Sequence, residues 1–120
     1  NYLNPNAGRA IQHLKTLEKE LFKDNRLFLR YKQDDLGNTQ NTFIICGFWY
    51  AEALATIGLI DKAYAVIEKL NETSNHLGLF SEDADEDSSQ WGNFPQTYSH
   101  VGLVNAVYRL STRINKPIFL

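Results

Sequence analysis

One stretch of this sequence constrains the fold more than any other, because it offers water no polar face. Between residues 41 and 57 the only charge is Glu52, and apolar or small side chains occupy every side of a helical projection. A helix of this kind must be buried on nearly all sides, so other elements have to cover it. The residues that define it are Phe43, Ile44, Ile45, Cys46, Phe48, Trp49, Tyr50, Ala51, Ala53, Leu54 and Ala55.

Three further segments show helical periodicity, and no segment of the sequence predicts a convincing strand. Helices are predicted over 6–23 and 61–74, each with one apolar stripe and one polar face. Gly58 is suited to end the helix before it in the left-handed conformation, and Asp61 to open the next one. A fourth helix is predicted over 97–113, where apolar residues cover most of the circumference, so we expect it to be largely buried.

The alternation of amphipathic and all-round apolar helices favours a particular architecture. In a compact four-helix bundle every helix keeps one wet face, whereas two of these helices have none. The pattern predicts an all-α fold with exposed helices outside and buried helices inside, as in an α/α toroid. Two helical hairpins cannot close such a ring. We therefore expect the 120 residues to be one segment of a larger toroid, or to cover their inner helices by self-association.

Composition excludes several classes of function. The 12 basic and 14 acidic residues leave a formal charge of −2, which argues against binding to nucleic acid. The longest apolar stretch, residues 43–51, falls well short of the ~20 residues that span a bilayer. The single cysteine, Cys46, allows no internal disulfide and fits a reducing compartment, so the predicted location is the cytoplasm. Within so apolar a helix its thiol is predicted to be inert packing.

The loop over 77–96 is the segment most informative about chemistry. It combines clustered carboxylates with Phe80, Trp91 and Phe94, and loops of this length are often functional. The clustered carboxylates are Glu82, Asp83, Asp85, Glu86 and Asp87. Carboxylates beside aromatic rings are what sugar hydrolysis requires, namely an acid or base at the glycosidic bond and flat apolar faces for the pyranose.

Other interpretations of the acidic run compete with this one. A solvated charged turn stays open on composition alone. A calcium loop fits poorly, because Asp83, Asp85 and Asp87 alternate without the glycine and the final glutamate that such a loop needs. The three histidines lie far apart in the sequence, with one cysteine and no paired-ligand spacing, so no metal site is predicted.

At this loop the sequence resembles a known family. GLFSEDAD (78–85), GNFPQTYSH (92–100) and LVNA (103–106) resemble the C-terminal part of the glucoamylase-type glycoside hydrolases, the inverting family of glucoamylases, glucodextranases and microbial trehalases. Upstream, Leu29-Arg30-Tyr31 and the helix CGFWYAEALATIG (46–58) are similar to further motifs of that family, with Gly47 where serine is usual. The resemblance runs from about residue 7 to residue 110, in the right order.

The resemblance implies roles for individual residues. Glu82 matches the family's general base, and Asp83 stands where a second glutamate is more usual. Arg30 matches an arginine that holds hydroxyls of the glucosyl unit, with Tyr31 beside it as support; a surface salt bridge is the structural alternative for Arg30. Trp49 either lines the site or fills the inner wall.

The resemblance also implies a fold and a mechanism. The fold is a six-fold α/α toroid, and the reaction is inverting hydrolysis of an α-glucoside by two carboxylates, without a metal or organic cofactor. Residues 1–120 would be a single segment from the C-terminal part of the catalytic domain, supplying the base and inactive alone, because no candidate for the general acid precedes residue 41. Gln96 and His100 are expected to order the loop, and Glu52 to bond to a neighbouring helix end. The alternative left open is a non-catalytic helical-hairpin module that binds a protein or carbohydrate through the acidic loop.

Overall fold

The computed structural model describes residue 4 and residues 8–23, 27–35, 37–38 and 41–115. In these ranges the helices are α1 (Gly8–Leu21), α2 (Ile44–Thr56), α3 (Ile60–Asn71) and α4 (Thr97–Ile114). The strands, each of two residues, are β1 (Phe22–Lys23), β2 (Leu27–Phe28), β3 (Gln33–Asp34), β4 (Gly37–Asn38), β5 (Thr42–Phe43), β6 (Asp83–Ala84) and β7 (Gln90–Trp91). Strands β5, β6 and β7 form one antiparallel sheet, while β1 pairs with β2 and β3 with β4.

The all-α prediction is confirmed for the bulk of the chain, whereas the prediction of no strands is wrong. Strands of two residues are too short to leave an alternating pattern in the sequence, so periodicity does not reveal them. They also explain why α2 begins at Ile44 rather than at residue 41, since Thr42 and Phe43 pair with β6 instead. The predicted start of the first helix, at residue 6, lies outside the described residues.

Helix α2 is the centre of the core, as its sequence predicts. Ile44, Phe48, Ala51 and Leu54 are fully buried, and each large apolar side chain removed from water contributes about 1.5–3 kcal/mol. Helix α3 covers one side with a stripe that consists of Ala63, Val66, Ile67 and Leu70. Helix α4 covers another side through Ser99, Gly102, Ala106 and Leu110.

Gly102 sets how closely α4 approaches α2. A Cβ atom at this position would lie 3.0 Å from Cγ1 of Ile45 and 3.0 Å from Cβ of Phe48. Any larger residue would push the two helices apart, since the neighbouring atoms belong to a packed core. Ile45 and Phe48 on α2 and Gly102 on α4 therefore form one close helix contact.

The turn between α2 and α3 ends α2 as predicted. Gly58 has φ of +87°, the left-handed conformation, and the N–H of Leu59 donates to the carbonyl of Leu54 at 3.0 Å. Arg113 of α4 donates from Nη2 to the carbonyl of Thr56 at 2.8 Å, which satisfies a free carbonyl at the end of α2. Asp61 lies inside the first turn of α3 rather than before it.

Glu52 was expected to bond to a neighbouring helix end, but it contacts a side chain instead. Its Oε1 lies 3.6 Å from Nε of Arg109 on α4. The pair links the two helices on the side where α2 carries its one charge. Glu52 therefore belongs to the packing of α2 against α4.

Helix α4 differs from the prediction that it is largely buried. Only one stripe of α4 is covered, whereas Val104 and Tyr108 are 64% and 65% exposed. In the described chain α4 packs against α2 and α3, and apolar side chains on its far side have nothing to cover them. None of the described helices is both long enough and apolar enough to cross a membrane.

We expect the isolated 120-residue chain to self-associate, because an apolar helix face of this size is covered by another surface when one is present. Light scattering at micromolar concentration should show a dimer or larger species. Val104→Lys, on the exposed stripe, should reduce association, whereas Thr112→Lys, at an exposed polar position of the same helix, should leave it unchanged. A monodisperse monomer for the unmodified chain would contradict the expectation.

Candidate active site

The sheet β5–β6–β7 ties the acidic loop to the start of the buried helix. Phe43 pairs with Asp83, and Asp83 pairs in turn with Trp91. The first N–H of α2, from Ile44, donates to the carbonyl of Glu82 at 3.0 Å, so the helix end and the loop satisfy each other. This main-chain bond places Glu82 at the N-terminus of α2.

The carboxylate of Glu82 is held by the strand segment beside it. Its Oε2 accepts a hydrogen bond from Nδ2 of Asn93 at 2.8 Å and a longer one from the N–H of Asn93 at 3.3 Å. The N–H of Glu82 also donates to the carbonyl of Asn93 at 2.9 Å. Oε1 accepts no hydrogen bond from the residues that the structure describes. One oxygen is therefore fixed, and the other is available to a further group.

Gly92 is required at its position for two reasons. A Cβ atom there would lie 3.0 Å from Oε2 of Glu82, and the φ of Gly92 is +76°. A side chain would be strained by this backbone conformation and would displace the carboxylate. Glu82 and the Gly92-Asn93 pair are thus fitted to each other.

The base of the loop is anchored by α4. The N–H of Gln96 donates to the carbonyl of Phe80 at 2.8 Å, and Ser99 donates from Oγ to the carbonyl of Ser81 at 2.8 Å. The N–H of Phe80 donates to Nε2 of His100 at 3.3 Å, while Nδ1 of His100 lies 2.7 Å from the carbonyl of Gln96. This pattern corresponds to a neutral imidazole with its proton on Nδ1. The prediction that Gln96 and His100 order the loop is confirmed.

Arg30 lies on the same side of the sheet as Asp83. Its guanidinium carbon is 5.1 Å from the centre of the Phe43 ring, a cation–π distance, and Phe43 is the cross-strand partner of Asp83. Burial raises the pKa of Asp83, the charge of Glu82 raises it further, and the charge of Arg30 opposes both. The charges of Arg30 and Glu82 therefore both act on Asp83, in opposite directions.

Trp49 and Tyr31 have different surroundings. A cleft of about 210 Å³ lies between α1 and α2, and Trp49 and Arg30 are among its lining residues. Trp49 is 45% exposed and packs edge-on against Tyr98 with 5.8 Å between ring centres, so it both lines the cleft and contacts α4. Tyr31 is exposed and is not among the residues that line this cleft.

Comparison with known proteins decides the family. The family model for glycosyl hydrolases family 15 matches residues 1–108. The chain belongs to glycosyl hydrolase family 15. The predicted resemblance to the glucoamylase-type hydrolases is thereby confirmed.

The relatives compared with this family 15 chain are named trehalases. The trehalase of Thermoplasma volcanium is 38% identical over 117 residues, which cover 96% of this chain and 19% of the relative. That of Thermoplasma acidophilum is 37% identical over 119 residues, 98% of this chain and 20% of the relative. The trehalase of Mycobacterium tuberculosis is 35% identical over 111 residues, which cover 88% of this chain and 16% of the relative. The chain thus spans about a fifth of the length of these relatives, and no solved structure matches it significantly.

The acidic run of this family 15 chain is more structured than its sequence suggests. In a merely solvated turn Asp85 would bond to water, yet Oδ2 of Asp85 accepts from Nε1 of Trp91 at 2.9 Å, and Oδ1 accepts from the N–H groups of Ser89 at 2.9 Å and Asp87 at 3.0 Å. The bond from Trp91 is the main cause of a lowered pKa at Asp85. Glu86 forms an ion pair with Lys23 at 2.6 Å, and Asp87 is exposed.

Sequence reasoning missed two of these roles. Asn93 gave no signal, because an asparagine after glycine is equally typical of an ordinary turn. Asp85 followed by Asp87 and Ser89 could have been read as an Asx turn, in which a carboxylate accepts main-chain N–H groups two and four residues ahead. Among the described residues no group of three histidine, cysteine, aspartate or glutamate side chains is arranged to hold a metal ion.

We expect Cys46 to react slowly with iodoacetamide at pH 8. Burial raises the pKa of its thiol to about 11, so about one thiol in a thousand is ionised at that pH. Peptide mass spectrometry should show alkylation of Cys46 that is ~100-fold slower in the folded protein than in denaturant. Equal rates in the two states would contradict inert packing.

Proposed function

We propose that this chain is the part of a family 15 glycosidase that supplies the general base for hydrolysis of α-glucosidic bonds with inversion, and that Glu82 is this base. The observation that carries the proposal is the asymmetry of its carboxylate. Oε2 is fixed by Asn93, while Oε1 is left without a hydrogen bond from the described residues. A base that must bind one water in one direction needs this combination of a held and an open oxygen.

The reaction is a single displacement. A carboxylic acid outside this chain protonates the leaving oxygen, a water attacks the anomeric carbon from the opposite face, and Oε1 of Glu82 accepts the proton of that water. The bond from Asn93 keeps Oε1 pointed toward the water during the transfer. The acid comes from the part of the toroid that the longer relatives carry, so residues 1–120 act as a C-terminal segment of a catalytic domain. By complete catalytic domain we mean this chain together with that part.

Arg30 holds the glucosyl unit in this proposal. Its guanidinium lies over Phe43, whose cross-strand partner Asp83 follows Glu82 in the chain, and this supports a role beside the acidic loop rather than in a surface salt bridge. The planar guanidinium offers donors to two sugar hydroxyls at once. Trp49 provides an apolar wall next to Arg30, and support of Arg30 by Tyr31 stays a prediction.

The names of the relatives support a choice of substrate to test. All three relatives described above are trehalases, so trehalose is the first α-glucoside to test. The rest of the toroid is the chain's main partner. A cytoplasmic location stays a prediction, carried by the single cysteine.

We expect Glu82→Gln in the complete catalytic domain to lower kcat by ~10²-fold or more, because the amide keeps the shape but accepts no proton from water. The matched control is Asp87→Asn, an exposed member of the same acidic run, which should change kcat by less than ~2-fold. Steady-state kinetics on trehalose measure both variants, and thermal unfolding should show similar Tm values.

α-Glucosyl fluoride separates a base from an acid at position 82. Fluoride leaves without protonation, so a variant lacking the acid regains turnover on this substrate, whereas one lacking the base stays slow. Glu82→Gln should stay slow and should be partly rescued by azide, which attacks the anomeric carbon without needing a base. Full activity of Glu82→Gln on the fluoride without azide would make Glu82 the acid and overturn the assignment.

Arg30→Lys should lower kcat/KM on trehalose by ~10-fold or more without changing the Tm. A lysine keeps the charge but cannot grip two hydroxyls in one plane. Lys32→Arg, at an exposed position two residues on, is the matched control and should behave like the unmodified enzyme. Unchanged kinetics for Arg30→Lys would return Arg30 to the surface.

A further inference from the structure

The hairpin that follows Glu82 is short, and its second strand lies at the edge of the sheet. Strands β6 and β7 contain two residues each, and among the described strands β7 pairs with β6 alone. The five residues between them include Ser88 with φ of +64°, a conformation that most side chains disfavour. The register of β7 matters for the site, because the Gly92-Asn93 pair that fixes Glu82 follows β7 directly and is joined to Glu82 by a main-chain bond.

Side chains secure β7 on both faces of the sheet. On the buried face, Nε2 of Gln90 donates to the carbonyls of Thr73 at 2.7 Å and Leu79 at 2.8 Å. On the outer face, Nε1 of Trp91 donates to Oδ2 of Asp85 at 2.9 Å, although the indole ring is 53% exposed. The outer bond spans the loop from one strand to the other. We call the Asp85–Trp91 hydrogen bond the clasp.

Asp85 uses both of its oxygens at once. While Oδ2 holds Trp91, Oδ1 accepts the N–H groups of Asp87 and Ser89 within the turn. The main chain of Asp85 is paired as well, since its N–H donates to the carbonyl of Ser89 at 3.1 Å and its carbonyl accepts from Ser88 at 3.1 Å. The charged carboxylate therefore couples the shape of the turn to the position of the indole.

The clasp is connected to Glu82 through two residues. Trp91 is followed by Gly92, where a Cβ atom would lie 3.0 Å from Oε2 of Glu82. Asn93 comes next, and its Nδ2 donates to the same oxygen at 2.8 Å. Rotation or sliding of β7 would carry Asn93 away from the carboxylate. A displacement of about 1 Å at a catalytic group can lower a rate by ~10²-fold.

We propose that Asp85 and Trp91 are positioning residues for the general base: their clasp holds β7 so that Asn93 keeps Oε1 of Glu82 directed at the attacking water. The inference rests on the proposed function, since it concerns the aim of Glu82 and not its identity. Trp91 acts through its indole N–H rather than through its ring face. Asp85 acts as a carboxylate, because it must accept hydrogen bonds on both oxygens.

The test compares two reactions of α-glucosyl fluoride in the complete catalytic domain. In hydrolysis, water forms the new C–O bond, the C–F bond breaks, fluoride leaves, and the proton of water passes to Glu82. In the azide reaction, azide forms the C–N bond as fluoride leaves, and no proton needs a base. A misdirected Glu82 slows only the first reaction, whereas a loosened fold slows both.

Three variants isolate the clasp. Asp85→Asn has one acceptor oxygen for three N–H donors, and Trp91→Phe keeps an aromatic ring without the N–H. Each should lower hydrolysis by ~10-fold while the azide rate stays within ~2-fold of that of the unmodified enzyme, and the double variant should be no worse than either single one. Asp87→Asn, which keeps its main-chain N–H, should leave the ratio of the two rates unchanged.

Several outcomes overturn the inference. Equal losses in both reactions would make the clasp merely structural. A Trp91→Phe variant with normal rates, beside a Trp91→Ala variant with a raised KM, would make the ring a sugar platform instead. Normal hydrolysis by Glu82→Gln would remove the proposed function itself, whereas a defective Glu82→Gln with unaffected clasp variants would remove the clasp alone.

Discussion

The candidate site depends on one main-chain hydrogen bond, from the N–H of Ile44 to the carbonyl of Glu82. Ile44 opens α2, the most buried helix, so its position is set by the whole core. A helix N-terminus has N–H groups without intrahelical partners, and here the acidic loop supplies an acceptor for one of them. The pairing of β5 with β6 extends the same connection by two residues. The long loop is thereby fixed to the core at Glu82, the candidate base.

The rest of the loop is arranged to direct one side chain. Phe80 is buried against Phe48 of α2, with 5.4 Å between ring centres, which fixes the chain just before Glu82. Asn93 then fixes one carboxylate oxygen from the other side. Arg30 reaches the same region across Phe43, although it lies in a segment far from the loop in sequence. Core packing sets the positions of these residues, and a few hydrogen bonds set the direction of the Glu82 carboxylate.

The sequence predicts what periodicity and family motifs carry. The four helices, the burial of α2 and the left-handed turn at Gly58 follow from apolar spacing and from glycine's conformational freedom. The exposed stripe of α4 does not, because a pattern shows which side chains are apolar and not whether a partner covers them. The two-residue strands leave no period at all. The sequence does not predict the roles of Asp85 and Asn93 either, because these roles depend on which strand lies opposite in the folded chain.

The central claim is that Glu82 activates water for attack on the face opposite the leaving group. The most direct test is the anomeric configuration of the first glucose released from α-glucosyl fluoride by the complete catalytic domain, followed by proton NMR before mutarotation. A base-assisted single displacement predicts β-glucose as the initial product. Initial release of α-glucose would indicate a covalent glucosyl intermediate, would make a carboxylate the nucleophile, and would contradict this account of Glu82.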